Sequence, residues 1–467
     1  MKDDMQDVRD EAMERRMDAA LGEVLGGERA LDVTARVLAR AAAGERIAAG
    51  EVAAERAEAG SLRQRPRTAS VPMPRRWFAA AVLFGVAVVG GVAWLQRFGA
   101  EPSGHDVGPA PAPLQEPVAP EAHRQIRSVA EIAKLPRTVT HVEFRNLGDR
   151  AALALRECPW VEHVEFLRDD DDPLTSVGIA AVCALPRLRT LAVAEGNGIP
   201  ADALRALGTA RGLQAVRLLS DAVDDAVLVA LATLPALREL ELVGCRSFGE
   251  VGMRALASMR GLQALDLRGC SQLTTEQLAL VGELRALQRL RLAGLPNLRD
   301  AAVMPLQNLV DLEDLDLADG RFTSKAMQAL EPMVRLRRLI LADCKELVGS
   351  ALLHVPVGVE ELDLTHCPLD RGAGPLLTQR FPKLRRLCLW GAGWLDDESF
   401  AALLRLPLLE HLKVGDCGGM TPVHLDALRA AKRLVDFDAT RSSCVTDQQA
   451  AELVASRPEM KVTRKVW

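Results

Sequence analysis

The chain has 467 residues, 49% of them apolar, with 3% aromatic residues, no Tyr and a formal net charge of -5. That apolar content excludes wholesale disorder, and the slight acidic balance argues against nucleic acid, whose phosphates call for a clear basic excess. Nine cysteines are too few for a small disulfide scaffold of this length, and an odd number leaves at least one thiol free.

Residues 1–76 read as a helical and flexible tail. Val8, Met13, Met17, Leu21 and Val24 recur at roughly helical spacing, and Gly26–Gly27 breaks the run. Asp32 is a predicted N-cap for a second helix, and an Ala- and Glu-rich stretch follows. The phrase RMDAALGEVLGGERALDVTARVLARA resembles N-terminal segments of bacterial single-pass proteins, some of them anti-sigma-factor-like. No Cys or His precedes His105, which excludes a zinc-bearing domain of that kind.

Residues 77–95, WFAAAVLFGVAVVGGVAWL, carry no charge. A helix of that length rises roughly 28 Å, close to the hydrocarbon thickness of a bilayer. Trp77 and Trp94 stand near its two ends, where amphipathic rings favour the interface. Arg63, Arg65, Arg67, Arg75 and Arg76 lie before the run and only Arg97 just after it. The positive flank stays in the cytoplasm, so the expectation is a single-pass protein with the remainder outside the cytoplasmic membrane. Residues 96–122 hold six prolines (102, 109, 111, 113, 117 and 120) and form a semi-extended linker.

From 123 to 467 one phrase recurs, L-x-x-L-x-L-x-x-C or a variant. Clear copies begin at Leu237, Leu262, Leu336, Val359 and Leu409, and place Cys245, Cys270, Cys344, Cys367 and Cys417 at the ninth position. Weaker copies begin at Val139, Val161, Leu188, Leu213, Leu287, Leu312, Leu384 and Leu434. The thirteen copies are spaced 22 to 27 residues apart, and Met460-Lys-Val462 reads as a truncated fourteenth strand. Between copies lie segments of helical spacing with start signals at Thr274 or Thr275, at Ser324, and at Thr421–Pro422. Pro305 falls inside one such segment and predicts an irregular repeat. The expected fold is an α/β solenoid, with a concave parallel β-sheet and convex helices, because no repeat can bury its leucines alone.

Period and phrase resemble the leucine-rich repeat, and the ninth-position cysteine resembles its cysteine-containing subfamily. That subfamily is best known from the substrate-binding halves of F-box proteins. The resemblance implies protein recognition by the concave face or the loops beside it. No F-box is recognisable in this chain. The cysteines read as small buried hydrophobes stacked between turns.

Counting from the first apolar residue of each copy, positions three, five and seven point away from the leucines. Positions three and five give Glu239/Glu241, Ala264/Asp266, Arg289/Arg291, Asp314/Asp316, Arg338/Ile340, Glu361/Asp363, Arg386/Cys388 and His411/Lys413. Signs alternate along most of the row, which predicts self-neutralisation. Two places break it. Trp390 takes a seventh position among Arg386, Arg338, Ile340, His411 and Lys413, the composition of a protein-binding hot spot. Near the start, His141, Glu143, His163 and Glu165 recur at matching positions. They could ligate zinc; the plainer reading is a near-copied repeat with His–Glu pairs, so no metal is expected.

No nucleotide-binding, zinc-protease or nucleophile-elbow motif occurs, so the sequence offers no evidence of an enzyme, cofactor or small-molecule substrate. The expectation is a membrane-anchored protein-binding module displayed outside the cytoplasmic membrane. Its partners are a protein ligand on the concave face and the bilayer through residues 77–95. Alternatives are a transmembrane signalling regulator whose tail binds a cytoplasmic partner, and an F-box-like intracellular adaptor.

Overall fold

The computed structural model describes residues 122–167, 173–194, 199–418, 421 and 425–464. The predicted tail, the apolar run 77–95, the linker up to 121 and the run Asp169–Asp172 lie outside the described residues. Among the described residues no helix is long and apolar enough to cross a membrane.

One sheet organises the described residues. Its strands are β1 (His123–Ile126), β2 (His141–Phe144), β3 (His163–Phe166), β4 (Thr190–Val193), β5 (Ala215–Leu218), β6 (Glu239–Glu241), β7 (Ala264–Asp266) and β8 (Arg289–Arg291). They continue as β9 (Asp314–Asp316), β10 (Arg338–Ile340), β11 (Glu361–Asp363), β12 (Arg386–Cys388), β13 (His411–Lys413), β14 (Asp436–Asp438) and β15 (Lys461–Thr463). Sheet order is chain order. Every pair is parallel, as short strands separated by long crossovers must be. β15 is the truncated copy at Met460. β1 was not predicted, because it carries a single buried apolar residue, Ile126, where other copies carry three.

In-register leucines build the core. Leu240, Leu265, Leu290, Leu315, Leu339, Leu362, Leu387 and Leu412 sit on adjacent strands, each at most 2% exposed. Burying one such side chain stabilises by roughly 1.5–3 kcal/mol, and each has its neighbours' leucines as walls. Phe144 and Phe166 stack at 5.1 Å at the N-terminal end of this spine.

Two further positions of the repeat have fixed duties. The eighth is left-handed in copy after copy: Gly244, Gly269, Gly294 and Gly391 have φ of 71 to 72°, and Asn146, Asp319, Asp343, His366, Asp416 and Arg441 have φ of 53 to 60°. Glycine meets that turn without strain, and Asn and Asp tolerate it better than most residues. The ninth-position thiol donates to the sixth-position carbonyl of the preceding copy. Cys245 reaches Leu218 at 3.4 Å, Cys270 Leu242 at 2.9 Å, Cys344 Leu317 at 3.4 Å, Cys367 Leu341 at 3.0 Å and Cys417 Leu389 at 3.2 Å.

The convex side is less regular than expected. α-Helices such as Asp225–Leu231, Glu250–Ala257 and Asp397–Leu403 alternate with 3-10 turns. Thr274 starts its helix with a capping box completed by Gln277. Pro305 lies in a 3-10 turn, Met304–Asn308, that continues the short helix Asp300–Val303. The repeats beginning at Leu312 and Leu336 have only 3-10 turns, Ala326–Leu330 and Gly349–His354, so Ser324 heads no α-helix.

An aspartate in the first turn of a helix also ties down the next repeat. Asp149 accepts from the Thr175 and Gly178 amides, and Asp225 from those of Gly249 and Gly252. Asp300 and Asp397 each accept from the amide and hydroxyl of a threonine, Thr323 and Thr421. Asp370 instead accepts from Gly349, in the preceding repeat. At the C-terminal end the buried Arg457 guanidinium donates to the carbonyls of Leu428, Ala431, Lys432 and Leu434.

Candidate functional site

The middle of the charged row, from β5 to β12, is closed by its own ion pairs. Arg217 meets Glu241 at 3.2 Å, and Arg289 meets Glu239 at 2.7 Å. Arg291 stands 3.9 Å from both Asp266 and Asp314. Arg338 lies 3.8 Å from Asp314 and 3.6 Å from Glu361, whose other oxygen is 3.3 Å from Arg386. Asp266, Asp314, Asp316, Asp363, Glu239 and Arg338 are all buried. Burial pushes the Asp314 and Asp316 carboxyls above the ordinary range; Arg338 and Arg291 oppose it at Asp314. The self-neutralised row is therefore also a largely dehydrated one.

This divides the predicted hot spot. Arg338 is only 6% exposed and held between Asp314 and Glu361, so it belongs to the row and offers no free surface. Ile340, Arg386, His411, Lys413 and Trp390 are half-buried. Arg386 and His411 are register neighbours, as are Cys388 and Lys413; Ile340 is two strands from Cys388, across Asp363. His411 stands 3.6 Å from Asp436. The Trp390 indole lies on Gly415, the seventh position of the next copy. A Cβ there would come within 2.5 Å of the ring atoms Cε3 and Cζ3. Glycine at 415 thus makes room for a flat aromatic shelf, a signal that the sequence contained and the repeat phrase concealed.

At the other end, register sets His141 beside His163 and Glu143 beside Glu165. β1 adds a third imidazole that sequence reasoning missed. His123 lies edge-on to His141 with ring centroids 4.6 Å apart, and His141 stacks on His163 at 5.4 Å. His163 Nδ1 is 3.0 Å from Thr190 Oγ1. Gln125 donates to Glu143 at 2.6 Å, and His123 Nε2 is 3.7 Å from the same carboxylate. Burial, with His123 and His163 alongside, pushes the His141 imidazole down to about 4, and burial also lowers His163. Burial and then Glu143 raise the Glu165 carboxyl. Among the described residues no three His, Cys, Asp or Glu side chains are placed to hold a metal ion. Parallel in-register strands line the imidazoles in one row and the carboxylates in another, and stacked rings do not aim their lone pairs at one point.

Burial disfavours the thiolate form of the cysteines. Burial drives Cys183 and Cys245 up to about 11 and Cys367, Cys388 and Cys417 to about 12, and raises Cys270 and Cys344 further. All nine cysteines are free.

Taken together, the in-register leucines, the left-handed eighth residue and the parallel sheet in chain order define a leucine-rich-repeat solenoid. No model of a known protein family matches the chain, and no curated protein matches it in sequence. Solved structures that overlap it include the Rad7 and Elc1 complex of yeast, at 16% identity over 84% of this chain and 92% of that one, with a TM-score of 0.48. A TLR13–ssRNA13 complex overlaps at 18% identity over 72% of this chain and 52% of the other, with a TM-score of 0.45. An internalin, InlF of Listeria monocytogenes, overlaps at 14% identity over 71% and 82%, with a TM-score of 0.38. These are distant likenesses, and the assignment of the fold rests on the repeat geometry.

Proposed function

We propose that this chain is a membrane-anchored protein-binding module, displayed outside the cytoplasmic membrane, whose ligand protein docks on the C-terminal part of the concave face. The observation that carries the docking site is the Trp390 shelf on Gly415, with half-buried Arg386, His411 and Lys413 beside it. Tryptophan and arginine dominate binding energy where they sit together in a partly covered patch. The middle of the sheet has its charges matched internally and offers a ligand little. The anchor rests on the nineteen uncharged residues 77–95 and the arginines before them. Buried, hydrogen-bonded thiols are compatible with an oxidising exterior.

Two measurements test the reading. Protease added to intact spheroplasts should remove the repeat domain; full protection reverses the topology. Affinity capture should be run in parallel with the wild-type chain and Trp390→Ala. The expected result is a partner retained by the first and weakened by about 2 kcal/mol or more in the second. Equal retention by both places recognition elsewhere.

A further inference from the structure

We propose that the His123–His141–His163 stack is an acid-sensitive clasp: protonation of the middle imidazole releases β1 and opens the N-terminal end of the sheet, while the remaining solenoid stays closed. This goes beyond the proposed ligand site, which lies at the opposite end.

Three imidazoles occupy adjacent strands with ring centroids 4.6 and 5.4 Å apart. His141 is the middle one; it is half-buried, as His163 is, and its Nδ1 is covered without a hydrogen-bond partner. A proton there gains no acceptor and removes a charge from water, which is costly unless the site opens. The surroundings give mixed help. On β1 the facing groups are His123 and Gln125; on β2 they are Glu143 and Arg145. β3 contributes His163 and Glu165, with Glu162 and Arg189 at the strand entries pairing at 3.1 Å. Thr190 of β4 occupies His163, and Arg217 of β5 pairs with Glu241 of β6. Glu143 is the nearest anion, and Gln125, Arg145 and His123 already share it.

His141 and His163 hold protons less readily in the closed form than a free imidazole at 6.5 does. The open form therefore binds more protons, and opening is favoured as pH falls below 6.5. Glu165, raised in the closed form, acts the other way and reduces the effect. β1 is the element that can respond alone, because among the described residues it is the edge strand at this end and has one sheet neighbour, β2. In a solenoid each repeat contacts only its neighbours, so an end can open without the middle.

The test is hydrogen exchange of the full chain between pH 7 and pH 5, corrected for the intrinsic rate. Peptides covering 123–144 should lose about tenfold in protection, and peptides from β7 to β10 should not change. His141→Gln should retain protection at pH 7 and shrink the pH dependence to the part that His163 carries. If that variant is unfolded at pH 7, His123→Gln serves instead, since removing the imidazole that adds to burial in lowering His141 should reduce the loss. Constant protection across this range in the wild type overturns the clasp. So does an undiminished loss in the variants, or a parallel loss along the whole solenoid.

Discussion

Arg289 on β8 bypasses β7 and donates at 2.7 Å to Glu239 on β6. The residue between them in the register is Ala264, whose methyl group leaves the gap that the guanidinium crosses. Both partners are largely covered, 15% and 9% exposed. Arg289→Glu should therefore cost more than a surface reversal, about 3 kcal/mol, because it leaves a buried carboxylate facing another. Urea unfolding of the two proteins measures this. A midpoint that does not move would mean the row is hydrated and open to ligands.

Gly415 should be intolerant of any side chain, for a reason unrelated to its backbone. Gly415→Ala would lift the Trp390 ring, since the new Cβ falls 2.5 Å from it. Tryptophan emission should shift, melting should change by no more than about 1 kcal/mol, and ligand capture should fall as in Trp390→Ala. An unchanged emission spectrum would show that the ring does not rest there.

The repeat thiols should be silent to a disulfide reagent at pH 8 in the folded protein, and all nine should react once it is unfolded. Cys270→Ala removes the donor to the Leu242 carbonyl and should cost about 2 kcal/mol; Cys270→Ser, which keeps a donor, should cost less. Equal costs would reduce the thiol to a space-filler.

Arg457→Ala should strip the seal from the last repeat, where one guanidinium donates to four carbonyls. About 3 kcal/mol of local stability is expected to go, seen as faster hydrogen exchange in 436–463 with β7 to β10 unaffected. Global unfolding at the same rate would contradict an end-cap role.

The spacing of leucines and cysteines made the solenoid legible, because period and inward face are properties of the pattern itself. Concave residues were legible as a list and less so as an environment. Arg338 is polar, exposed by periodicity and flanked by opposite charge, yet it is buried between Asp314 and Glu361. β1 was hidden because its strand needs only Ile126 to dock on a stack already formed. The left-handed eighth position was visible as glycine in four copies, but Asp343, His366 and Arg441 disguise it in others. Whether a convex segment forms an α-helix or a 3-10 turn was not legible: repeats of similar length carry Asp225–Leu231 as an α-helix and Ala326–Leu330 as a 3-10 turn.

The aspartate ties run mostly one way along the chain. Asp149, Asp225, Asp300 and Asp397 each finish a turn that belongs to the following repeat. In these four places a repeat supplies the acceptor that the turn of the following repeat needs. The same asymmetry sets what a truncation exposes: a cut on the C-terminal side of such a pair bares a carboxylate, and a cut on the N-terminal side bares the amides it received, and water takes up either.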